Sequence, residues 1–121
     1  MQGGTFLKDV SKKITYKGKE YSLVFNLNVM EEIQEEYKTL GNWCNLTDNK
    51  SGEPNAKAVI FGFTVMFNEG IDIDNEKNGT DIQPFTPKQV GRLITEIGMQ
   101  KMTDALHETV IESTKSTEKN V

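Results

Sequence analysis

The chain has a single cysteine, Cys44, and a single histidine, His107. One cysteine excludes an intrachain disulfide and points to a reducing compartment. A reactive thiol needs a base beside it, and His107 lies far along the sequence, so Cys44 reads as a small packed or half-buried residue. His107 stands between Asp104 and Glu108 with no second ligand at metal spacing, and it reads as a surface histidine. No nucleophile–base pattern, metal-ligand cluster or phosphate-cradling glycine loop occurs. The expectation is a protein that is not an enzyme and carries no catalytic residues, cofactor or metal. Long apolar runs are also lacking. The longest, residues 58–67, is broken by Gly62 and Thr64 and is too short to span a bilayer. Residues 1–10 lack the apolar core of a signal peptide. Basic residues are scattered except for Lys12, Lys13, Lys17 and Lys19, and the net charge is -4, which argues against a nucleic-acid surface. These absences lead to a soluble intracellular protein with neither nucleic-acid nor membrane partners.

What is present suits one domain. The 121 residues, 36% apolar and 26% charged, are enough to bury a core without staples. Ile14 and Tyr16 flank Thr15 in strand alternation, residues 17–20 supply a turn, and Tyr21, Leu23 and Phe25 then alternate with Ser22 and Val24. The four lysines there mark a solvated strand edge. Two strands alone are marginal in water, so the hairpin must pack on helices or extend a neighbour's sheet.

Asn26 and Asn28 are both plausible N-caps, and Asn28 with Glu31 resembles a capping box. Met30, Ile33, Tyr37 and Leu40 form one apolar stripe, with Glu31, Glu32, Glu35 and Glu36 around it, and Gly41 ends the helix. Residues 42–53 read as a loop anchored by Trp43 and Leu46. Pro54 opens a second helix that is apolar nearly all round, the signature of a central core helix or a subunit interface. Residues 68–84 are polar and read as a loop. Thr86-Pro87-Lys88-Gln89 is a strong helix start, with Val90, Leu93, Ile94 and Ile97 on the buried face and a break at Gly98. Met99, Met102, Leu106 and Val110 continue on a last helix. Together these predict an α+β fold, an N-terminal β-hairpin packed on a mainly helical bundle of about four helices. Residues 1–11 are expected as a flexible arm, 12–114 as a single domain and 115–121 as a polar mobile tail.

Two features invite chemistry and decline it. Asp74, Glu76 and Asn78 before Gly79 imitate the first half of an EF-hand loop, but Phe85 stands where the bidentate glutamate belongs and Asp81 where an apolar residue belongs. A solvated acidic segment is the reading. The four glutamates sit on an open helix face, whereas acid–base work needs a carboxylate in an apolar cleft. They suit a solvated face or a docking surface for a basic segment. The methionines read as core filler.

The stretch Lys17-Gly18-Lys19-Glu20-Tyr21, the Phe25-Asn26-Leu27-Asn28 run and Met30-Glu31-Glu32-Ile33 form a short strand feeding a helix that opens on paired glutamates. With the apolar middle helix at residues 56–67 and Thr86-Pro87-Lys88-Gln89-Val90-Gly91-Arg92-Leu93-Ile94, this layout resembles the tail assembly chaperones of long-tailed (siphovirus-type) bacteriophages. The resemblance covers about residues 12–114 and rests on a pattern of apolar and acidic positions. The chain departs from it in a long polar insert at residues 74–84, and in Gln34-Glu35-Glu36-Tyr37 where an acidic–glycine turn is more usual.

The resemblance implies a non-enzymatic protein that coats and solubilises the tape measure protein and helps recruit tail tube subunits. It implies action in the host bacterial cytoplasm, absence from the finished virion and, for many members, a longer frameshifted form. Glu118-Lys119-Asn120 is compatible with an A-rich slippery heptamer in the coding sequence. A holdase must cover apolar surface repeatedly, which suits a small acidic domain with surplus apolar helix surface, particularly as a homo-oligomer. The expected contact residues are Glu31, Glu32, Glu35 and Glu36 for basic segments, and any exposed members of Phe61, Phe63 and Phe67 for apolar helices. The alternative is a structural tail or connector component that stays in the virion, joined through its hairpin edge.

Overall fold

Lys17 and Gly18 both take positive φ, 52° and 78°. That is the type I′ geometry whose twist matches two antiparallel strands. In a computed structural model, which describes residues 12–48 and 52–119, the turn joins β1 (Lys12–Tyr16) to β2 (Lys19–Leu23), with Tyr16 opposite Lys19 and Ile14 opposite Tyr21. Five helices follow: α1 (Leu27–Tyr37), α2 (Leu40–Thr47), α3 (Ala56–Asn78), α4 (Pro87–Ile97) and α5 (Met99–Lys119). The α+β fold with a hairpin on a helical bundle is therefore observed. The arm expected at residues 1–11 lies outside the described residues, as do residues 120–121.

Local chemistry sets most boundaries. Asn26 caps α1, its Oδ1 accepting from Val29 N at 3.2 Å, while Asn28 is inside the helix. Thr86 and Gln89 form the reciprocal capping box of α4, and Gly98 closes that helix. Pro54 precedes the cap of α3 rather than opening its first turn; Asn55 is the cap, accepting from Ala58 N at 2.9 Å.

The turn is two residues long rather than four, so Lys19 and Glu20 pair with Tyr16 and Thr15 inside β2, which ends at Leu23 ahead of Phe25. Three later boundaries also differ from expectation. First, α1 stops at Lys38, which takes φ 74°, and Thr39 at once caps a new helix. Gly41 is thus inside α2, and Trp43 is not a loop anchor but one of that helix's two buried residues. Second, α3 does not end near Phe67; it runs on through Asn78 to Gly79. Its added turns are polar because only Gly70 and Ile71 of them are buried. Third, residues 115–119, expected as tail, lie in α5.

The core forms around α3. Its buried residues come in adjacent pairs every four positions: Ala58-Val59, Gly62-Phe63, Met66-Phe67 and Gly70-Ile71. Such pairs make a broad stripe along one side of a helix. Two glycines in the stripe admit close neighbours. At Gly62 a Cβ would stand 2.9 Å from Trp43 Cε2 and closer still to Cζ2. At Gly70 a Cβ would stand 2.6 Å from the Ser22 carbonyl oxygen, where β2 crosses α3. α1, α2 and α4 also pack on α3, and α4 leads through Gly98 into α5.

The segment between α3 and α4 is strapped back along α3 by two asparagines. Asn68 exchanges two hydrogen bonds with the backbone of Phe85 (3.0 and 2.8 Å), and Asn75 does the same with Ile82 (both 3.0 Å). The spacing works because seven helical residues advance about 10.5 Å and three extended residues about 10 Å. Phe85 is thereby seated on Tyr21 and Phe67, at ring separations of 4.9 and 5.6 Å. Asn68→Ala removes both bonds at Phe85 and leaves two backbone groups unpaired, a loss of about 1–3 kcal/mol. Amide exchange is expected to accelerate at residues 82–86 and to stay unchanged in α1; uniform acceleration, or none, would contradict the strap.

Candidate partner-binding site

The first three turns of α3 are apolar nearly all round, and the fold buries one side of them more fully than the other. The side left over carries Lys57, Ile60, Phe61, Thr64, Val65 and Asn68, of which only Lys57 is fully exposed and the rest are half-buried. α4 runs beside this strip. Its own apolar residues Val90, Leu93 and Ile94 turn to the core. Pro87, Lys88, Gly91 and Arg92 are left facing Lys57, Ile60 and Phe61 at the start of the strip, forming the other wall of an open groove of about 880 Å³. Gly91 brings that wall near the floor: a Cβ there would stand 3.4 Å from Ile60 Cδ1. Phe61 is held edge-on by Tyr37, with ring centroids 5.5 Å apart. Burial, and after it the charge of Glu36, pushes the Tyr37 hydroxyl pKa up, so Tyr37 presents a neutral ring to Phe61.

The groove has a charged rim. Lys57, Lys88 and Arg92, the chain's sole arginine, line it with one acid, Glu96. Among the described residues no carboxylate pairs with any of the three cations; the one ion pair found there is Lys12–Glu108, at 2.6 Å. A second depression of about 280 Å³ adjoins the first, with Phe61 and Pro87 lining both. Its charged residues are Glu32, Glu69 and Asp72. Glu69 is fixed by the side-chain amides of Asn26 and Asn28, which donate to its Oε2 at 2.8 and 3.0 Å.

A third depression of about 400 Å³, between α2 and α5, contains both Cys44 and His107. The fold thus brings together the two residues that the sequence keeps apart, and His107 is half-buried rather than on the surface. The pair is not an activated thiol. The buried Thr47 hydroxyl donates to the Cys44 carbonyl at 3.0 Å and lies 2.8 Å from His107 Nε2. With its single proton given to the carbonyl, that hydroxyl accepts from Nε2–H. Burial, and then the nearby Asp48 charge, pushes the thiol pKa above its ordinary 9.0. A raised thiol pKa means less thiolate at any given pH. Cys44 is therefore expected to react with a disulfide reagent at pH 8 more slowly than free cysteine; reaction as fast as the free thiol would contradict this environment.

Of the expected contact residues, Glu31, Glu32, Glu35 and Glu36 are all exposed on α1, and Glu32 alone lines one of the two adjoining depressions. Phe63 and Phe67 have no exposure. They belong to the core, where they stack on each other at 5.8 Å, and not to a contact surface. Phe61 alone of the three reaches the groove. The cationic rim and the Pro87–Gly91 wall were not foreseen. Their signal is Lys57 three and four residues before Ile60 and Phe61, but it has meaning only once α4 is known to lie alongside. The residues that imitate an EF-hand lie within α3 and its cap, and no group of carboxylate, cysteine or histidine residues suited to a metal ion occurs among the described residues. No helix among the described residues is long and apolar enough to cross a membrane. No protein-family model matches the chain, and neither a curated protein nor a solved structure does.

Proposed function

We propose that this protein is a non-enzymatic tail assembly chaperone of a long-tailed bacteriophage, which seats apolar helical segments of the tape measure protein in the α3–α4 groove. The observation that carries the reading is what builds the groove. One wall is the Thr86–Ile94 motif, part of the resemblance, and the floor is the surplus side of the apolar middle helix, the other part. A holdase needs apolar surface that water reaches but that does not collapse onto itself. Half-buried Ile60 and Phe61, held on a helix and flanked by Lys57, Lys88 and Arg92, meet that need. The proposal extends to recruitment of tail tube subunits, to homo-oligomers, and to action in the host cytoplasm without incorporation into the virion.

Co-expression with the long open reading frame encoded just downstream tests it. The expected result is that the long protein becomes soluble and co-purifies. Unchanged solubility with no co-purification would refute the chaperone. Mass spectrometry of purified particles then tests the rival, in which this chain is a built-in tail or connector component; stoichiometric presence in virions would favour that rival.

A further inference from the structure

We propose that the side of α3 between Lys57 and Asp72 is a directional docking trough for a bipolar amphipathic helix, acidic towards its N-terminal end and basic towards its C-terminal end, lying parallel to α3. The two depressions that meet at Phe61 and Pro87 follow each other along α3. From Lys57 to Asp72 the helix rises about 22 Å, the length of four turns of a partner. The floor along that length is apolar or neutral: Ile60, Phe61, Thr64, Val65 and Asn68.

Charge changes sign along the trough. At the end near the start of α3, Lys57, Lys88 and Arg92 face one acid, Glu96, and no ion pair among the described residues holds any of the three. At the far end stand Glu32, Glu69 and Asp72, with no cation lining that depression. The amides of Asn26 and Asn28 orient Glu69 without neutralising it. A partner laid one way places its acids over the cations and its bases over the carboxylates. Laid the other way it sets like charges together, and such juxtaposition discriminates strongly between orientations. The favoured partner has acids in its first turns and bases in its last, the arrangement that the helix macrodipole itself stabilises.

A second copy of this chain fits poorly. The exposed face of α1 is acidic, with Glu31, Glu32, Glu35 and Glu36, and on α5 a lysine stands at each end of the exposed acids, Lys101 ahead of Asp104, Glu108 and Glu112 and Lys115 behind them, so a base would meet the cationic end of the trough. The inference rests on the chaperone reading only in taking the partner to be a helical client.

The test uses two synthetic peptides of about sixteen residues with the same composition and the same leucine stripe. One carries glutamates first and lysines last, and the other the reverse. Fluorescence anisotropy titrations against the purified protein should show the glutamate-first peptide binding about tenfold more tightly, with the preference shrinking as salt rises. A protein carrying Lys88→Glu, Arg92→Glu, Glu32→Lys and Asp72→Lys, all exposed positions, should invert the preference. That inversion separates trough polarity from any difference in peptide helicity. Equal binding of both peptides, binding of neither, or a preference that does not invert would overturn the trough. Self-association of the wild type that Phe61→Asp abolishes would assign the trough to a second copy and overturn it as well. If the peptide preference holds while co-expression fails, the tape measure assignment falls and the trough stands; if co-expression succeeds without a preference, the reverse applies.

Discussion

Phe63→Asp unfolds the domain, whereas the same substitution two residues earlier, at Phe61, leaves it folded. The two positions lie about 200° apart around α3. Phe63 is wholly buried and stacks on Phe67, with ring planes 27° apart. Removing a buried aromatic ring costs about 3–5 kcal/mol, and an unpaired carboxylate in the same space adds a further large penalty. That sum is comparable with the 5–15 kcal/mol that holds a domain together. Phe61 touches Tyr37 by its edge but opens on the groove, so a carboxylate there keeps its water. Its loss is expected at about 1–2 kcal/mol. Circular dichroism and thermal melts of both variants check the contrast. A folded Phe63→Asp with the wild-type melting temperature, or an unfolded Phe61→Asp, would mean that the phase of α3 is wrong.

The second large effect is expected at Trp43. Its indole is wholly buried in the notch at Gly62, and Nε1–H donates to the Ala58 carbonyl at 3.0 Å. Trp43→Ala empties the notch and removes that bond, at about 3–5 kcal/mol. Gly62→Ala drives a methyl into the ring and is expected to cost about 1–3 kcal/mol. The double variant is the informative one. With the ring gone the methyl loses the three atoms nearest to it, and the higher helix propensity of alanine, worth about 1 kcal/mol, then counts in its favour. Gly62→Ala should therefore change sign, destabilising the wild type and stabilising Trp43→Ala. Urea unfolding of the four proteins, followed by circular dichroism, gives the coupling. Additive effects would refute the notch.

The same two helices show what was legible in the sequence. The hairpin, the capping box at Thr86 and the break at Gly98 are short-range chemistry, written in adjacent residues, and they were legible there, the second strand to within two residues. α2 was not, because its short helix is stabilised by Trp43 reaching across to Gly62 and Ala58, a contact with no local signature. The polar half of α3 read as a loop because composition stood in for geometry. A helix that faces water on most sides needs few apolar residues, and there Gly70 and Ile71 suffice beneath Glu69, Asp72 and Asp74. At the site, Phe61 reaches the groove while Phe63 and Phe67 are buried in the core. A helix that is apolar all round has no phase in its pattern, so periodicity could not tell Phe61 from Phe63 and Phe67. The cations of the rim come from α3 and α4 together, and only the packing of those two helices makes them neighbours.

The α3–α4 groove as the seat of the client is most directly tested by a pull-down of the co-expressed tape measure protein with wild type and with Phe61→Asp. The groove account predicts that the wild type retains and solubilises the client. It predicts that Phe61→Asp, folded by circular dichroism, loses the client, and that Glu35→Lys with Glu36→Lys, away from both depressions, retains it. A folded Phe61→Asp that holds the client as well as the wild type would contradict it.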